Sequence, residues 1–461
     1  MKFNKFFLKF NSLNRFRILR FKKIYYKMKK NLLLSILFSL IIFGCADNSK
    51  KINKLELTEG SALNEGVSQE RLLRIDDYLE KSIEDSIIPG AVALVTRNGK
   101  IIYHKAFGYE NFSEKIPFEK NDIFRIASMT KAITSLAVVM LWEEGKFSLD
   151  DPIEKFIPEF KDHQILDKFN KRDSTYTTKK AKSKITIRNL LTHSSGMGYG
   201  FIDSNPAMKA IFTKNNKKFM KNGVMCFCDE DVKIQNIIKN VAKYPLHHEP
   251  GEKWTYSVGL DVLGYLIELQ SGLSLSDFFQ TRIFSPLGMG DTQFYIPENK
   301  ENRLVSVQTK KQGKWVDFED ERFNVNYPIS GSKTTFFGGC GLTSTVEDYA
   351  KFMQMILNKG KYNNAQIIGK KTYETLVTGQ GYFSSWGDSE SSLAFSLLNE
   401  KDFAKGVGGS IGSLGTGGYW NTSCVADPKE NLIAIIYKQT QNISDPTSGV
   451  FRRLVFQSII D

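Results

Sequence analysis

The sequence predicts an α+β fold: an antiparallel sheet flanked by helices, with a helical subdomain inserted between the two halves of the sheet. Three observations predict it. A strand hairpin stands near the start of the folded region, a second strand pair and a helix close the chain, and mostly helical patterning lies between. The composition, 41% hydrophobic and 25% charged over 461 residues, is that of a globular protein with apolar material for at least one large core.

Residues 1–30 hold eight Lys, three Arg and no acid, which is +11 of the formal charge of +13 and leaves about +2 for the rest. Bulk charge therefore gives no case for nucleic-acid binding, and none is expected. An uncharged apolar stretch follows over residues 31–44, too short to span a bilayer as a mature helix, and reads as the core of an export signal. Met28-Lys29-Lys30, the apolar run and Ile42-Phe43-Gly44-Cys45 together resemble a bacterial lipoprotein signal, although Phe43 is bulkier than the usual residue there. Met28 alone would open a complete signal, so residues 1–27 read as an upstream start or an extended n-region. The expected organisation is a basic n-region and signal over 1–44, lipidation at Cys45, a polar tether over 45–66, and one folded domain over 67–461. That makes the protein exported and membrane-anchored, at the periplasm or cell surface.

Within the domain, Leu72, Leu73, Ile75, Tyr78 and Leu79 predict an amphipathic helix over 71–86. Asn98-Gly99, both tolerant of positive φ, predict a hairpin with strands 91–96 and 100–107. Helical periodicity recurs over 132–144, 185–191, 260–270 and 346–357, separated by loops bearing Gly and Pro. Residues 421–426 and 432–437 predict a strand pair about Asp427-Pro428-Lys429-Glu430-Asn431, and 448–460 a closing helix. If strands from both ends share one sheet, a cleft is expected where the sheet meets the helical insertion.

The segment with the most chemistry is Phe124-Arg125-Ile126-Ala127-Ser128-Met129-Thr130-Lys131, which opens the apolar run 132–141. A spacing of three puts Ser128 and Lys131 on one helix face. The amine can then take the hydroxyl proton, provided that it is held uncharged by desolvation or nearby positive charge; an apolar cleft and a helix N-terminus offer both. The tetrad alone discriminates little. Ser330-Gly331-Ser332-Lys333 repeats it where Pro328 and Gly331 predict a loop, and a serine at a helix start also serves as an N-cap.

In its Phe-Arg-Ile-Ala setting, the Ser128 tetrad is similar to the active-site motif of the serine β-lactamase and penicillin-binding-protein family, closest to class C β-lactamase-like carboxylesterases. The resemblance runs from about residue 69 to 439. It extends to Leu149-Asp150-Asp151-Pro152-Ile153, to Leu191-Thr192-His193-Ser194-Ser195-Gly196 and to Gly341-Leu342-Thr343-Ser344-Thr345. It implies the three-layer β-lactamase/DD-peptidase-like fold, with Ser128 as nucleophile, Lys131 as its base and Tyr256, in Trp254-Thr255-Tyr256-Ser257-Val258, as proton relay. Many β-lactamases and peptidases have an amide-binding Asn where this chain has Val258. The family's Lys, His or Trp before a small residue and Gly corresponds to Thr416-Gly417-Gly418, where threonine offers only a hydroxyl to a substrate acid group. Gly417 and Gly418 let substrate pass close to the strand. The resemblance also implies an oxyanion hole from the backbone N–H groups of Ser128 and Tyr419.

The expected activity is that of a serine hydrolase cleaving an ester or amide through an acyl-enzyme, with Val258 and Thr416 favouring esters. The alternatives are a D-amino-acid-specific peptidase or weak β-lactamase, and a penicillin-binding or sensor protein that acylates without turnover. The expected partners are a small-molecule ester, amide or peptide and, through the N-terminal lipid, a membrane. No cofactor is expected. Rival constellations are weaker. Gly408-Gly409-Ser410-Ile411-Gly412 fits a nucleophile elbow but is followed by more glycine rather than a helix. His193 reads as ordering a loop, and the adjacent His247 and His248 point apart. Cys226-x-Cys228 lacks a second ligand pair, so no catalytic metal is expected. Cys226, Cys228, Cys340 and Cys424 permit disulfides in an oxidising compartment, with no pairing fixed by spacing.

Overall fold

A computed structural model describes residues 55–461 apart from 204, 216–231, 321–323, 325, 332, 386–388 and 442. Residues 1–44, read as a signal, and Cys45, Cys226, Cys228 and Ser332 lie outside the described residues. Strands β1 (Thr58–Glu59), β2 (Gly90–Arg97), β3 (Lys100–Asn111) and β4 (Ile116–Pro117) come from the N-terminal part of the chain. Strands β5 (Tyr382–Phe383), β6 (Glu390–Ser391), β7 (Ser396–Leu397), β8 (Leu414–Gly418), β9 (Thr422–Asp427) and β10 (Leu432–Tyr437) come from the C-terminal part. They form one ten-stranded sheet in the order β1-β3-β2-β10-β9-β8-β7-β6-β5, with β4 beside β3. The two ends of the chain join at the β2–β10 pair, Val92 opposite Tyr437 through Arg97 opposite Leu432.

Both central strands are buried on both faces, and their alternating side chains feed two cores. Val92 and Leu94 of β2, with Ile433, Ile435 and Tyr437 of β10, point into the larger core with the helical body. Ala91, Ala93 and Val95, with Leu432, Ala434 and Ile436, point the other way. There they meet α1 (Gln69–Glu84) and the last helix, which contribute Leu72, Ile75, Leu79, Phe451 and Val455. Period-two alternation with apolar residues on both faces is what a sheet sandwiched between helix layers requires.

The helical body lies between β4 and β5 and includes α2 (Thr130–Glu143), α3 (Ile187–Leu191), α4 (Gly259–Ser271) and α5 (Val346–Leu357); α6 (Thr447–Gln457) closes the chain. Helix α2 is buried all round, from Thr130 to Leu141, as its apolar sequence demands. Among the described residues, no helix is long and apolar enough to cross a membrane.

The expected α+β architecture is the observed one, with three differences. The sheet is mixed rather than purely antiparallel, because β1 pairs parallel with β3. Part of the segment read as tether is therefore packed, and Ala62 is buried in the outer core. The helical insertion also carries small two-stranded sheets, Gln164–Phe169 with Tyr176–Lys180 and Gln308–Lys311 with Lys314–Asp317. Cys340 is disulfide-bonded and Cys424 is a buried free thiol.

Candidate active site

The chain reaches Ser128 along a fixed path. Phe124 and Arg125 pair antiparallel with Ser344 and Thr343, and the Ile126 N–H donates to Leu342 O at 3.0 Å. Ala127 then takes φ 44°, a left-handed conformation that costs a non-glycine residue ~1 kcal/mol or more. The Ala127–Met129 turn is 3₁₀ and runs straight into α2. Neither the turn nor α2 has a side-chain N-cap, so the Ser128 hydroxyl is not used for capping. It is turned toward the cleft.

Two groups meet it there. The Tyr256 hydroxyl donates to Ser128 Oγ at 2.7 Å, and Lys131 Nζ lies 3.3 Å from the same oxygen. Lys131 is almost fully buried. Its amine donates to Gly339 O at 2.6 Å and lies 3.4 Å from the Tyr199 hydroxyl, above the rings of Tyr199 and Tyr256 at 5.0 and 4.8 Å. Those two rings stack 5.1 Å apart. The arrangement places an amine and a phenol on one serine oxygen, in a wall with little water to compete.

Residues with no catalytic part in the sequence reading support this group. Tyr199 follows α3 by way of His193, whose φ of 56° turns the chain back toward the cleft. The Ser257 N–H donates to His193 Nδ1 at 3.2 Å, and the His193 ring lies 4.7 Å from that of Tyr256. Burial and the neighbouring Lys131 hold His193 down to about 3, so the imidazole is neutral and braces the tyrosine, in keeping with its expected loop-ordering part. Burial also holds the Tyr199 phenol well above its ordinary range. The carboxylate of Asp261 on α4 accepts the Gly339 N–H at 2.8 Å. Polar residues among the apolar ones of α4 were the only sequence signal for it.

Ser128, Lys131, His193 and Tyr256 line a cleft of about 540 Å³ between the helical body and β8. Thr416, Gly417, Gly418 and Tyr419 form its opposite wall. Among the described residues, β7 pairs with β8 only at Leu414 and Gly415, which leaves Thr416 to Gly418 along the cleft edge. Gly418 sits hard against the serine turn: a Cβ there would meet Ile126 O at 2.3 Å. Thr416 reaches toward the phenol of buried Tyr349. Apart from Lys131, His193 and Asn421, the described walls are apolar or hydroxyl-bearing, including Leu191, Ile202, Trp254, Leu393 and Phe395.

One expected substrate contact is misplaced. Val258 is buried and lines a small separate cavity with Met197 and Leu246, not the cleft, because the turn from Tyr256 into α4 points it the other way. Ser410 is followed by a turn and then β8, not by a helix, and its N–H donates to Asp427 at 2.6 Å away from the cleft. His247 pairs with Asp203 at 2.8 Å while His248 contacts Thr255, so the two histidines serve different loops.

Comparison with known proteins agrees with this geometry. Esterase EstB of Burkholderia gladioli is 30% identical over 402 residues, 83% of this chain and 94% of EstB. Protein Rv1367c of Mycobacterium tuberculosis is 29% identical over 365 residues, 76% of this chain and 85% of that protein. The solved structure of EstCE1, a hydrolase with promiscuous acyltransferase activity, shares the fold at a TM-score of 0.71 and 21% identity, covering 84% of this chain and 99% of EstCE1. With residues 75–454 matching the family model described as Beta-lactamase, the chain belongs to that family and is a serine hydrolase of its fold.

Proposed function

We propose that the chain is an exported esterase in which Ser128 is the nucleophile, Lys131 its base and Tyr256 the proton relay. The observation that carries the reading is the pair of contacts on one oxygen, Tyr256 at 2.7 Å and Lys131 at 3.3 Å from Ser128 Oγ. As Oγ bonds to the carbonyl carbon, its proton passes to the uncharged amine and the carbonyl electrons move onto oxygen. The backbone N–H groups of Ser128 and Tyr419 stabilise that oxyanion. Collapse expels the alcohol, which takes a proton through Tyr256, and leaves Ser128 acylated. Water attacks the acyl-enzyme by the reverse relay and restores the serine.

Esters are favoured over β-lactams and peptides by the walls of the cleft. A penicillin or peptide acid group has no Lys or Arg side chain to meet other than the base Lys131 itself among the described lining residues, and the side chain in the amide-binding position, Val258, faces elsewhere. Apolar groups suit an uncharged acyl chain, and Gly417 and Gly418 leave room for it beside the strand. The signal over residues 1–44 supports lipid attachment at Cys45 and a membrane-tethered enzyme; labelled palmitate incorporation that survives Cys45→Ser would sink that part.

The test is fluorophosphonate labelling and p-nitrophenyl ester turnover of wild type, Ser128→Ala and Ser410→Ala. Ser128→Ala should lose the label and ~10³-fold or more in rate while Ser410→Ala keeps both. Ester cleavage undiminished in Ser128→Ala rejects the reading, and turnover of a labelled penicillin faster than of the ester rejects the substrate class.

A further inference from the structure

The segment Phe337-Gly338-Gly339-Cys340-Gly341 threads between α2 and α4, and Gly338 and Gly339 are held through their backbone groups by side chains of both helices. From α2, Thr134 Oγ1 donates to Gly338 O and Lys131 Nζ to Gly339 O, each at 2.6 Å. From α4, Asp261 Oδ1 accepts the Gly339 N–H at 2.8 Å. The approach is close enough to require glycine: a Cβ on Gly339 would meet Asp261 Oδ2 at 2.5 Å, and one on Gly338 would meet Leu260 O at 2.6 Å.

Asp261 is wholly buried, and Oδ2 has no hydrogen-bond partner among the described residues. An uncompensated buried carboxylate is costly, and one N–H does not replace its hydration. Burial pushes Asp261 up to about 6, against the pull of Lys131 and of the Gly339 N–H. Lys131 is faced by Ser128, Tyr199, Tyr256 and His193 as well as by Asp261. Asp261 is the one carboxyl among these groups.

We propose that Asp261 is a positioning residue for the Lys131 amine: through the N–H it fixes Gly339, whose carbonyl receives one amine N–H, and it supplies the counter-charge that sets the pH at which the amine gives up its proton. The proposal rests on Lys131 acting as the base of Ser128. An uncharged amine has two N–H groups and one lone pair. With one N–H committed to Gly339 O, the amine is held with its lone pair free to turn to the Ser128 hydroxyl. The sign of the charge effect is fixed: a nearby carboxylate favours the ammonium, so removing its charge lets the amine deprotonate at lower pH.

The experiment is the pH dependence of p-nitrophenyl butyrate hydrolysis by the full-length protein as wild type, Asp261→Asn and Asp261→Ala, with fluorophosphonate labelling in parallel. Asparagine keeps an oxygen for the Gly339 N–H and removes the charge; alanine removes both. Asp261→Asn should label normally, keep its plateau kcat within about threefold, and shift the acidic limb of kcat/KM to lower pH by roughly one unit or more. Asp261→Ala should lose about tenfold or more in plateau kcat with KM little changed, because the amine is no longer held in register. Wild-type limbs and plateaux in both variants overturn the proposal. Should Asp261→Ala not fold, the Asp261→Asn limb decides alone, and an unmoved limb overturns it. Failure of the underlying reading shows separately, as turnover that survives Lys131→Met whatever the Asp261 variants do.

Discussion

The Tyr256 and Tyr199 hydroxyls flank the same amine, yet they differ in what they reach. Tyr256 donates to Ser128 Oγ at 2.7 Å, whereas Tyr199 lies 3.4 Å from Lys131 Nζ and 3.8 Å from Cys340 Sγ. A hydrogen bond weakens steeply beyond its normal range, so the two phenols should contribute unequally to proton transfer. Tyr256→Phe is expected to lower kcat/KM for an ester by ~10²-fold or more. Tyr199→Phe keeps the stacked ring and should cost less than about tenfold. Steady-state kinetics with a p-nitrophenyl ester checks both, and equal losses would make the phenols joint members of the relay. The same pair shows what a sequence reveals about single residues. Ser128 and Lys131 are three apart on one chain segment, so their proximity follows from local geometry alone. Tyr256 was found only through the resemblance around it, because it is brought to Ser128 by packing across 128 residues. Tyr199 and Gly339 are likewise brought to the amine by packing, across 68 and 208 residues, and Asp261 to Gly339, with no local pattern beyond the polar residues among the apolar ones of α4.

At the level of elements, the cleft depends on how β8 is pressed against the turn that presents Ser128. Gly418 faces Ile126 O and Thr422 Oγ1, each 2.3 Å from where its Cβ would stand, while a Cβ on Gly417 would meet only Thr422 O at 3.4 Å, an ordinary contact. Gly418→Ala must therefore push the strand off the turn and disturb the oxyanion donors, with an expected loss of ~10²-fold in kcat. Gly417→Ala should stay within a few-fold. If both variants retain wild-type kcat while their thermal midpoints are unchanged, the strand is not pressed on the turn as described. Elements with strong local signals were legible. Asn98 and Gly99 take φ of 54° and 76° at the hairpin, as their turn chemistry demands, and 346–357 and 432–437 match the observed elements. The pair Gln164–Phe169 and Tyr176–Lys180 was not, because its second strand is exposed and rich in Lys and Thr, without an apolar face to set a period. The short strands β5 to β7 likewise derive their pairing from the edge of the sheet rather than from their own composition.

For the molecule as a whole, the question that matters is where the folded domain begins, because the polar composition of 45–66 reads as a tether throughout. Its second half is instead tied to the opposite end of the chain. Arg97, nearly buried at the end of β2, donates to Glu65 O at 2.8 Å and Gly66 O at 3.0 Å, and pairs with Asp461 at 2.7 Å and Glu430 at 3.0 Å. The Ile460 N–H donates to Gly66 O at 2.9 Å, and β1 adds a parallel pair to β3. A polar sequence conceals this because the segment contributes backbone carbonyls, which every residue has, rather than apolar side chains. A chain beginning at residue 67 removes two of the carbonyl partners of a buried guanidinium and the acceptor of Ile460, each worth ~1 kcal/mol or more, and leaves Glu430 O in place. A chain beginning at residue 55 removes none of them. The shorter chain should therefore melt roughly 2–5 °C lower than the longer one at a fixed scan rate. Both should hydrolyse a p-nitrophenyl ester at the same rate at 25 °C, because none of these contacts touches the cleft. Equal midpoints would place the end of the tether at residue 66, as composition alone implies. A lower midpoint would move it to the region of residue 55 and make the N-terminal segment a clasp that holds the two chain ends on β2.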